Sequence, residues 1–267
     1  MNSLITRAKE LLENKTVQVI IGYEAGPTGI TRPAFITNPE KTGRLVYNDK
    51  CVQNLAVYLT KQEVKNLGRM AIVSTLPVMR SIMMLISEQQ LFAGSIVVLG
   101  ISSDGNLLDM ADIQVMQGYI EKSDLSNPDK YKTLLTELNK LTPEEKFAYW
   151  QKELSKCIKC YACRQACPMC YCIRCTVEVN QPQWIPVQAN THGNMEWHIL
   201  RAMHLAGRCI SCGECGRACP VGIPCHLLTM HLTDQVRNYF KVYAGTSDKM
   251  SSVLSTFEPN DKESFII

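Results

Sequence analysis

Twelve of the 13 cysteines in this chain of 267 residues lie between Cys157 and Cys225, and eight of them form two copies of one spacing. The first copy is CIKCYACRQACP at 157–168, and the second is CISCGECGRACP at 209–220. Both follow the pattern C-x2-C-x2-C-x3-C-P, in which three closely spaced thiolates ligate three irons of one cubane and leave the fourth iron to a more distant cysteine. The sequence therefore predicts two [4Fe–4S] clusters in this segment.

The fourth cysteine of each copy is predicted to close the other cluster, as in two-cluster ferredoxins. One cluster is then assigned to Cys157, Cys160, Cys163 and Cys219. The other is assigned to Cys209, Cys212, Cys215 and Cys167. Zinc sites and a disulfide framework are the alternatives for a cysteine-rich segment. Zinc sites favour separate C-x2-C pairs, however, and would not repeat this eight-cysteine run with a proline after each copy.

Three further cysteines, Cys170, Cys172 and Cys175, follow the first copy in CPMCYCIRC. This C-x-C-x2-C triad can hold a third metal centre if a fourth ligand arrives from elsewhere, and Cys225 and Cys51 are the candidates. Crossed ligation separates Cys225 from the triad, so Cys51 would have to reach in from the N-terminal part. A third iron–sulfur cluster, a zinc ion and three unliganded thiols remain alternatives, and Cys225 itself is expected to be a small buried residue.

Residues 1–140 are predicted to form an α/β domain. The segments 70–75 (MAIVST) and 95–101 (SIVVLGI) are continuously apolar and rich in Ile and Val, which is typical of buried parallel strands. Further predicted elements are strands at 16–23, PAFIT and RLVYN, a hairpin loop near Gly26 and Gly29, and helices at 4–12, 52–59 and 77–87. The predicted fold class is α+β, with the N-terminal α/β domain at 1–140, a bacterial dicluster ferredoxin-like domain with helical insertions at 141–240, and a tail at 241–267.

A helix is predicted to lead into the first cysteine copy. Thr142 is a suitable N-cap, Pro143 occupies the first helical position, and Glu145 completes a capping box. The residues expected on one apolar face of this helix are Phe147, Trp150 and Leu154.

A second helix, at 195–206, is predicted to lead into the second copy, with Gly207 as its left-handed stop. Its expected apolar stripe consists of Met195, Ile199 and Met203. Another helix is predicted at 226–242, and the polar segment 245–264 is expected to be a disordered tail or a docking arm.

Composition narrows the function classes. A formal net charge of +3 is too small to indicate nucleic-acid binding, and the basic residues beside the cysteines are interpreted as charge balance for anionic clusters. The longest apolar runs fall far short of the roughly 20 residues of a membrane helix, and the N-terminus lacks a signal-peptide core. The chain is therefore expected in the cytoplasm, with reduced thiols, without a membrane span and without a nucleic-acid partner.

No residue is predicted to be catalytic, because no acid–base or nucleophile constellation accompanies the cysteines. His198 and His204 are expected to pack or to form hydrogen bonds, since the nearby cubanes already have full cysteine sets. The loop at 101–106 follows a strand, where α/β domains often bind ligands. Without a GxGxxG or P-loop motif, a nucleotide or flavin site there is only a secondary hypothesis.

The segments WQKELSKCIKCYACRQACPMCYCIRC and NMEWHILRAMHLAGRCISCGECGRACPVGIP resemble the iron–sulfur part of the beta subunits of deazaflavin-linked hydrogenases and formate dehydrogenases. More closely they resemble the bacterial relatives that work beside heterodisulfide-reductase-like proteins. The stretch from IIGYEAG to VVLGISSDG is similar to the leading domain of the same family. The resemblance implies a subunit of a soluble redox complex that relays electrons between a dehydrogenase- or hydrogenase-type partner and a heterodisulfide-reductase-like flavoprotein.

Some members of this family bind a flavin, so a flavin-containing subunit that itself reduces a deazaflavin or nicotinamide is the alternative. This chain departs from the family by having Ser74-Thr75-Leu76-Pro77 in place of a Lys-Gly-Cys-Asp element and Ser103 in place of a cysteine before Asp104-Gly105. Cys51 keeps the family's position. The missing cysteines favour an electron relay, or a structural adaptor in which the clusters only staple the fold.

Overall fold

A computed structural model of the chain describes residues 2–179, 181–250 and 252–253. Within these residues the strands are β1 (Val19–Ala25), β2 (Thr31–Ile36), β3 (Met70–Ser74), β4 (Ile96–Ile101) and β5 (Leu107–Met110). They form one mixed sheet with the order β2-β1-β3-β4-β5. The three central strands are mutually parallel, and the two edge strands are antiparallel to their neighbours.

The α-helices of the described residues alternate with the strands and then dominate the cysteine-rich part. They are α1 (Asn2–Glu13), α2 (Gln62–Lys65), α3 (Leu76–Ser87), α4 (Ile113–Glu121), α5 (Asp129–Lys140), α6 (Pro143–Ser155), α7 (Ala162–Gln165), α8 (Thr191–His204), α9 (Glu214–Arg217) and α10 (Cys225–Phe240). None of the helices in the described part of the chain is both long and apolar enough to span a membrane.

The centre of the sheet agrees with the sequence prediction. β3 and β4 coincide with the two apolar runs and pair in parallel, from Met70 opposite Ile96 to Ser74 opposite Gly100. Helix α3 connects them and turns a continuous apolar face inward. This crossover is the βαβ arrangement that buried parallel strands require.

The predicted strand RLVYN is wrong. A 3₁₀ helix, Pro39–Arg44, occupies its start, because the Asn38 side chain accepts a hydrogen bond from the Glu40 N–H and Pro39 favours helical backbone. Of the predicted strand, Leu45 alone forms a bridge, opposite Glu24, in the described residues. The predicted helix at 52–59 is likewise a short 3₁₀ helix, Leu55–Thr60.

The helices that lead into the cysteine copies form as predicted, with shifted limits. Thr142 and Glu145 form the reciprocal capping box of α6. Helix α8 begins four residues before the prediction, because the Asn190 side chain accepts a hydrogen bond from the Gly193 N–H at 2.9 Å. Gly207 follows it with φ of +73°, the expected left-handed stop. Phe147 is 58% exposed, so the apolar face of α6 is narrower than predicted.

Helix α5 was not predicted, and it packs against α10 of the cysteine-rich part. Tyr131 and Leu135 of α5 form one buried apolar cluster with Leu227 and Met230 of α10. The Tyr131 ring also lies 4.7 Å from the His226 ring, measured between centroids. Residues 129–140 therefore cover a face of the helix that follows the second copy. Of the predicted tail segment, Ser251 and 254–264 lie outside the described residues.

A buried arginine joins the sheet layer to the cysteine-rich part. Arg80 of α3 donates from Nε and Nη2 to the Ala244 carbonyl, at 3.1 and 2.7 Å. Its Nη1 donates to the Ile210 carbonyl at 3.1 Å. Because Arg80 is buried, these carbonyls depend on it for hydrogen bonds.

We expect Arg80→Met to lower the free energy of unfolding by about 3 kcal/mol, because buried carbonyl groups lose their donors. Anaerobic urea denaturation of the full chain measures this change. The matched control is Arg69→Met, since Arg69 is exposed and its replacement should change stability by no more than about 0.5 kcal/mol. Equal effects of the two substitutions would contradict the structural role of Arg80.

Candidate metal centres

The cysteines predicted for the first cluster lie together. Cys157, Cys160, Cys163 and Cys219 line one cavity, and Cys225 lines it too. The Lys159 N–H donates to Cys157 Sγ at 3.3 Å, and the Ile223 N–H donates to Cys219 Sγ at 3.3 Å. The cysteine that is distant in sequence therefore faces the three that are close to one another.

The cysteines of the second set also lie close together, as shown by the shifts that they cause in the pKa values of one another's thiols. Burial raises the pKa of Cys212 to about 12, and the neighbouring thiolates Cys209 and Cys215 add to the rise. The pKa of Cys167 is also raised, first by its hydrogen bond with Cys170 and then by burial, and Cys212 is among its charged neighbours. Cys167 of the first copy is thus placed next to the second copy.

The two cysteine loops repeat one backbone conformation. Lys159 and Ser211 occupy equivalent positions and both have positive φ, 51° and 62°. The Ser211 N–H donates to Cys209 Sγ at 3.4 Å, as the Lys159 N–H does to Cys157. Two positions later, Tyr161 and Gly213 are again left-handed, at 58° and 77°. The left-handed residues turn the chain tightly enough for backbone N–H groups to reach the sulfurs.

The donor set fits an iron–sulfur cluster at both places. Each set offers four thiols, a backbone N–H donor to sulfur, and at least partial burial of every cysteine except the exposed Cys160. Thiolates are the ligands that iron–sulfur clusters use, and N–H bonds to sulfur stabilise the negative charge that a reduced cluster carries. The residues present are therefore suited to the clusters that the sequence predicts.

The surplus triad has a cavity of its own. Cys170, Cys172 and Cys175 line it together with His204 and Trp197. The structure brings these three cysteines around one space, next to the second set through Cys170.

Cys51 lies elsewhere. Its Sγ is within 3.8 Å of the Val46 carbonyl and accepts a hydrogen bond from the Asn48 N–H at 3.4 Å. The adjacent Val52 carbonyl accepts a hydrogen bond from Arg217 of the second copy at 3.1 Å. Cys51 thus lies beside the second copy, and the structure does not bring it to the triad.

Helix α8 turns a polar face inward, contrary to the predicted Met195–Ile199–Met203 stripe. Ile199 and Met203 are 45% and 44% exposed. The side chains on the inner face instead include Asn194, whose Nδ2 donates to the Cys157 carbonyl at 2.8 Å, and Arg201, whose Nη2 donates to the Cys163 carbonyl at 3.0 Å. The prediction failed because the cysteine loop exposes carbonyl groups to this helix, and buried carbonyls require donors.

The two histidines of α8 have different surroundings. His198 is buried against Trp197, with the two ring centroids 4.9 Å apart, and burial lowers its pKa to about 4. It is therefore neutral at physiological pH and serves as a packing residue. His204 is exposed at the edge of the triad cavity.

Cys225 is buried, as expected, but its position could not be predicted. Its Sγ donates to the Cys215 carbonyl at 3.2 Å, and it lies beside the Cys163 thiol. It thus occupies the space between the third cysteines of the two copies. No spacing in the sequence signals this, because the chain between Cys219 and α10 has to turn back first.

Comparison with known proteins supports the iron–sulfur character of the cysteine-rich segment. Residues 156–224 match the family described as "4Fe-4S dicluster domain". The chain is 30% identical over 102 residues to the "F420-dependent formate dehydrogenase subunit beta" of Methanocaldococcus jannaschii, a match covering 38% of this chain and 26% of that protein. It is 40% identical over 58 residues to the "F420-dependent formate dehydrogenase 1 subunit beta" of Methanococcus maripaludis, covering 22% and 14%.

The chain thus spans about a quarter or less of the length of these relatives. The predicted iron–sulfur character is confirmed, as is the similarity to beta subunits of formate dehydrogenases. The matched family describes the segment that holds both cysteine copies.

We expect Gly213→Ala to lower both stability and iron content. Gly213 has φ of +77°, which costs a residue with a Cβ about 1–2 kcal/mol, and the added methyl would lie 2.5 Å from Tyr131 Oη. Anaerobic reconstitution followed by iron quantification and urea denaturation measures both effects. The control is Gly118→Ala in α4, where no atom lies within 4 Å and a gain of about 0.5–1 kcal/mol is expected. Gly213→Ala with wild-type iron and stability would refute this account of the loop.

Proposed function

We propose that this chain is a cytoplasmic iron–sulfur electron-transfer subunit of a multi-subunit oxidoreductase of the formate dehydrogenase or hydrogenase type. The observation that carries the proposal is the pairing of two four-cysteine sets within the segment that matches the dicluster family. Similarity to two formate dehydrogenase beta subunits supports the class of complex. The dicluster match falls on the segment that holds both cysteine copies, which is the part a relay needs.

In this proposal two [4Fe–4S] clusters are held by crossed ligation. Cys157, Cys160, Cys163 and Cys219 hold the first, and Cys209, Cys212, Cys215 and Cys167 hold the second. When bound, such clusters supply one-electron exchange with little structural change. The protein's part is to bury the sulfurs, to donate N–H hydrogen bonds to them and to keep water away.

The lining of the first cavity favours electron relay over substrate chemistry. Besides the cysteines it includes the apolar side chains of Ile158, Trp197, Val221 and Ile223. Its other lining residues are Tyr161, Lys159, whose Nζ donates to the Pro186 carbonyl, and His198, which burial keeps neutral. Electron transfer needs only close approach of two redox centres, whereas catalysis on a substrate needs positioned polar groups.

The first set is also the more accessible one. Cys160 is exposed, and the neighbouring Ile158 is 59% exposed. We place the docking of a redox partner at this edge. The partners we propose are a dehydrogenase- or hydrogenase-type subunit on one side and a heterodisulfide-reductase-like flavoprotein on the other, with no nucleic acid involved.

The triad is kept as a separate site in this proposal. A third iron–sulfur centre held by Cys170, Cys172 and Cys175 would take its fourth ligand from a group other than Cys51, whose sulfur lies among Val46 and Asn48. His204 lines the same cavity and is the candidate for that ligand. In the described residues, however, no group of three or more His, Cys, Asp or Glu side chains is close enough to hold a single metal ion.

The proposal is tested by anaerobic purification of the native complex through a tag on this chain. We expect iron and sulfide for at least two cubanes, about eight irons per chain, EPR signals of reduced clusters, and co-purifying redox subunits. Flavin absorbance with nucleotide-dependent reduction would instead support the flavin-containing alternative. If no physiological donor reduces the clusters, the relay hypothesis is wrong and the chain is a structural adaptor.

Cysteine variants separate the sites. We expect Cys212→Ser to remove at least one cluster, about four of the irons, because it deletes one of the four ligands proposed for the second cluster. Cys51→Ser is the matched control and should leave the iron content unchanged, since Cys51 lies apart from the triad. Loss of iron in Cys51→Ser would overturn that separation. Cys172→Ser then tests the triad: a fall of about four irons assigns a cubane to it. Unchanged iron with a loss of zinc assigns a zinc site, and no change in either metal assigns unliganded thiols.

A further inference from the structure

Arg201 is a buried cation at the centre of the cysteine-rich part. It lies on the inner face of α8 and is 5% exposed. Its Nη2 donates to the Cys163 carbonyl, and its Nε has no hydrogen-bond partner among the described residues. Burying a guanidinium is costly unless opposite charge lies nearby.

The groups around Arg201 are thiols of all three cysteine sets. Cys163 belongs to the first set, Cys215 and Cys167 to the second, and Cys170 to the triad. A guanidinium is not deprotonated in proteins, so Arg201 is positively charged at every pH at which the protein is folded. Arg201 also lines the triad cavity beside Cys170, Cys172 and Cys175.

Three arginines beside the cysteines are compensated by carboxylates, whereas buried Arg80, which lies near Cys209 and Cys212, donates to carbonyl groups. Arg164 pairs with Glu178 at 3.1 Å, and Arg208 and Arg217 pair with Glu88 and Glu214. In the described part of the chain, no ion pair of this kind involves Arg201. Apart from its hydrogen bond to the Cys163 carbonyl, the charge of Arg201 is thus offset by sulfurs and not by a carboxylate. The charges of the other three are offset locally by Glu residues.

We propose that Arg201 is a positioning residue that raises the reduction potentials of both clusters by placing one uncancelled positive charge between them. The inference rests on the proposed function, because it requires both cysteine sets to hold clusters. One-electron reduction by the low-potential donor subunit adds one negative charge to a cysteine set, and the guanidinium stabilises that added charge. No proton is taken up, since Arg201 is charged before and after the step. Burial makes the effect large, because water does not screen the charge.

The test is an EPR-monitored potentiometric titration of the complete complex, after iron has been quantified. With clusters present, Arg201→Gln should disfavour reduction of both clusters by tenfold or more, which is a fall of about 59 mV or more in each one-electron midpoint. Arg201→Lys keeps the charge and should stay close to wild type. Arg164→Gln is the matched control, and its shift should be much smaller because Glu178 already offsets Arg164.

The outcomes distinguish the two hypotheses. Wild-type protein without cluster signals would contradict the proposed function. Fully loaded Arg201→Gln with unshifted potentials, or with a shift no larger than that of Arg164→Gln, would overturn the inference alone. If Arg201→Gln takes up little iron, its potentials cannot be measured, and Arg201→Lys then distinguishes a role of the charge from a structural role. Full iron and near-wild-type potentials in the lysine variant support the charge role, and loss of iron in both variants assigns Arg201 a purely structural one.

Discussion

The cysteine-rich part has to supply hydrogen-bond donors and positive charge to a buried set of sulfurs and loop carbonyls. In a medium of low dielectric constant, an unpaired carbonyl or thiolate is costly, so the surrounding elements turn polar groups inward. Helix α8 does this with Asn194 and Arg201, and the left-handed loop residues do it with their own N–H groups. Ile199 and Met203 of α8 face outward, while Trp197 and Ala202 stay buried. The inner face of this helix is therefore mixed, with polar side chains where the cysteine loops need donors.

The sheet and its helices form the apolar surface against which the second cysteine set packs. Its apolar core continues without interruption into the cysteine-rich part, where Leu205 and Ile210 belong to the same buried cluster as β3 and α3. Cys209 and Cys212 pack against this cluster. Arg80 crosses the same boundary through two carbonyl groups. The first set, with exposed Cys160, lies on the opposite, accessible side. In the proposed function, this asymmetry shelters the second cluster with protein and leaves the first one open to a partner.

Local signals in the sequence predicted much of this arrangement. The cysteine repeat, the Thr142–Glu145 capping box and the two Ile/Val-rich strands each depend on residues close together in the chain, and each is found in the structure. The failures involve distant partners. RLVYN has strand propensity, but Asn38 and Pro39 impose a tight helical turn on its start. The spacing of Met195, Ile199 and Met203 predicted an apolar inner face for α8, but carbonyl groups of the first cysteine loop face this helix and require donors from it. The positions of Arg201 and Cys225 depend on how three segments meet, which no local spacing encodes.

Helix α5 has a consequence for where the iron–sulfur part could be cut from the rest of the chain. Tyr131 and Leu135 cover Leu227 and Met230, and Tyr131 also touches the ring of His226 next to the second cysteine loop. A fragment that began at residue 141 would leave those apolar side chains facing water. A fragment that began at residue 129 would keep them covered, so the smallest self-contained iron–sulfur fragment has to include α5.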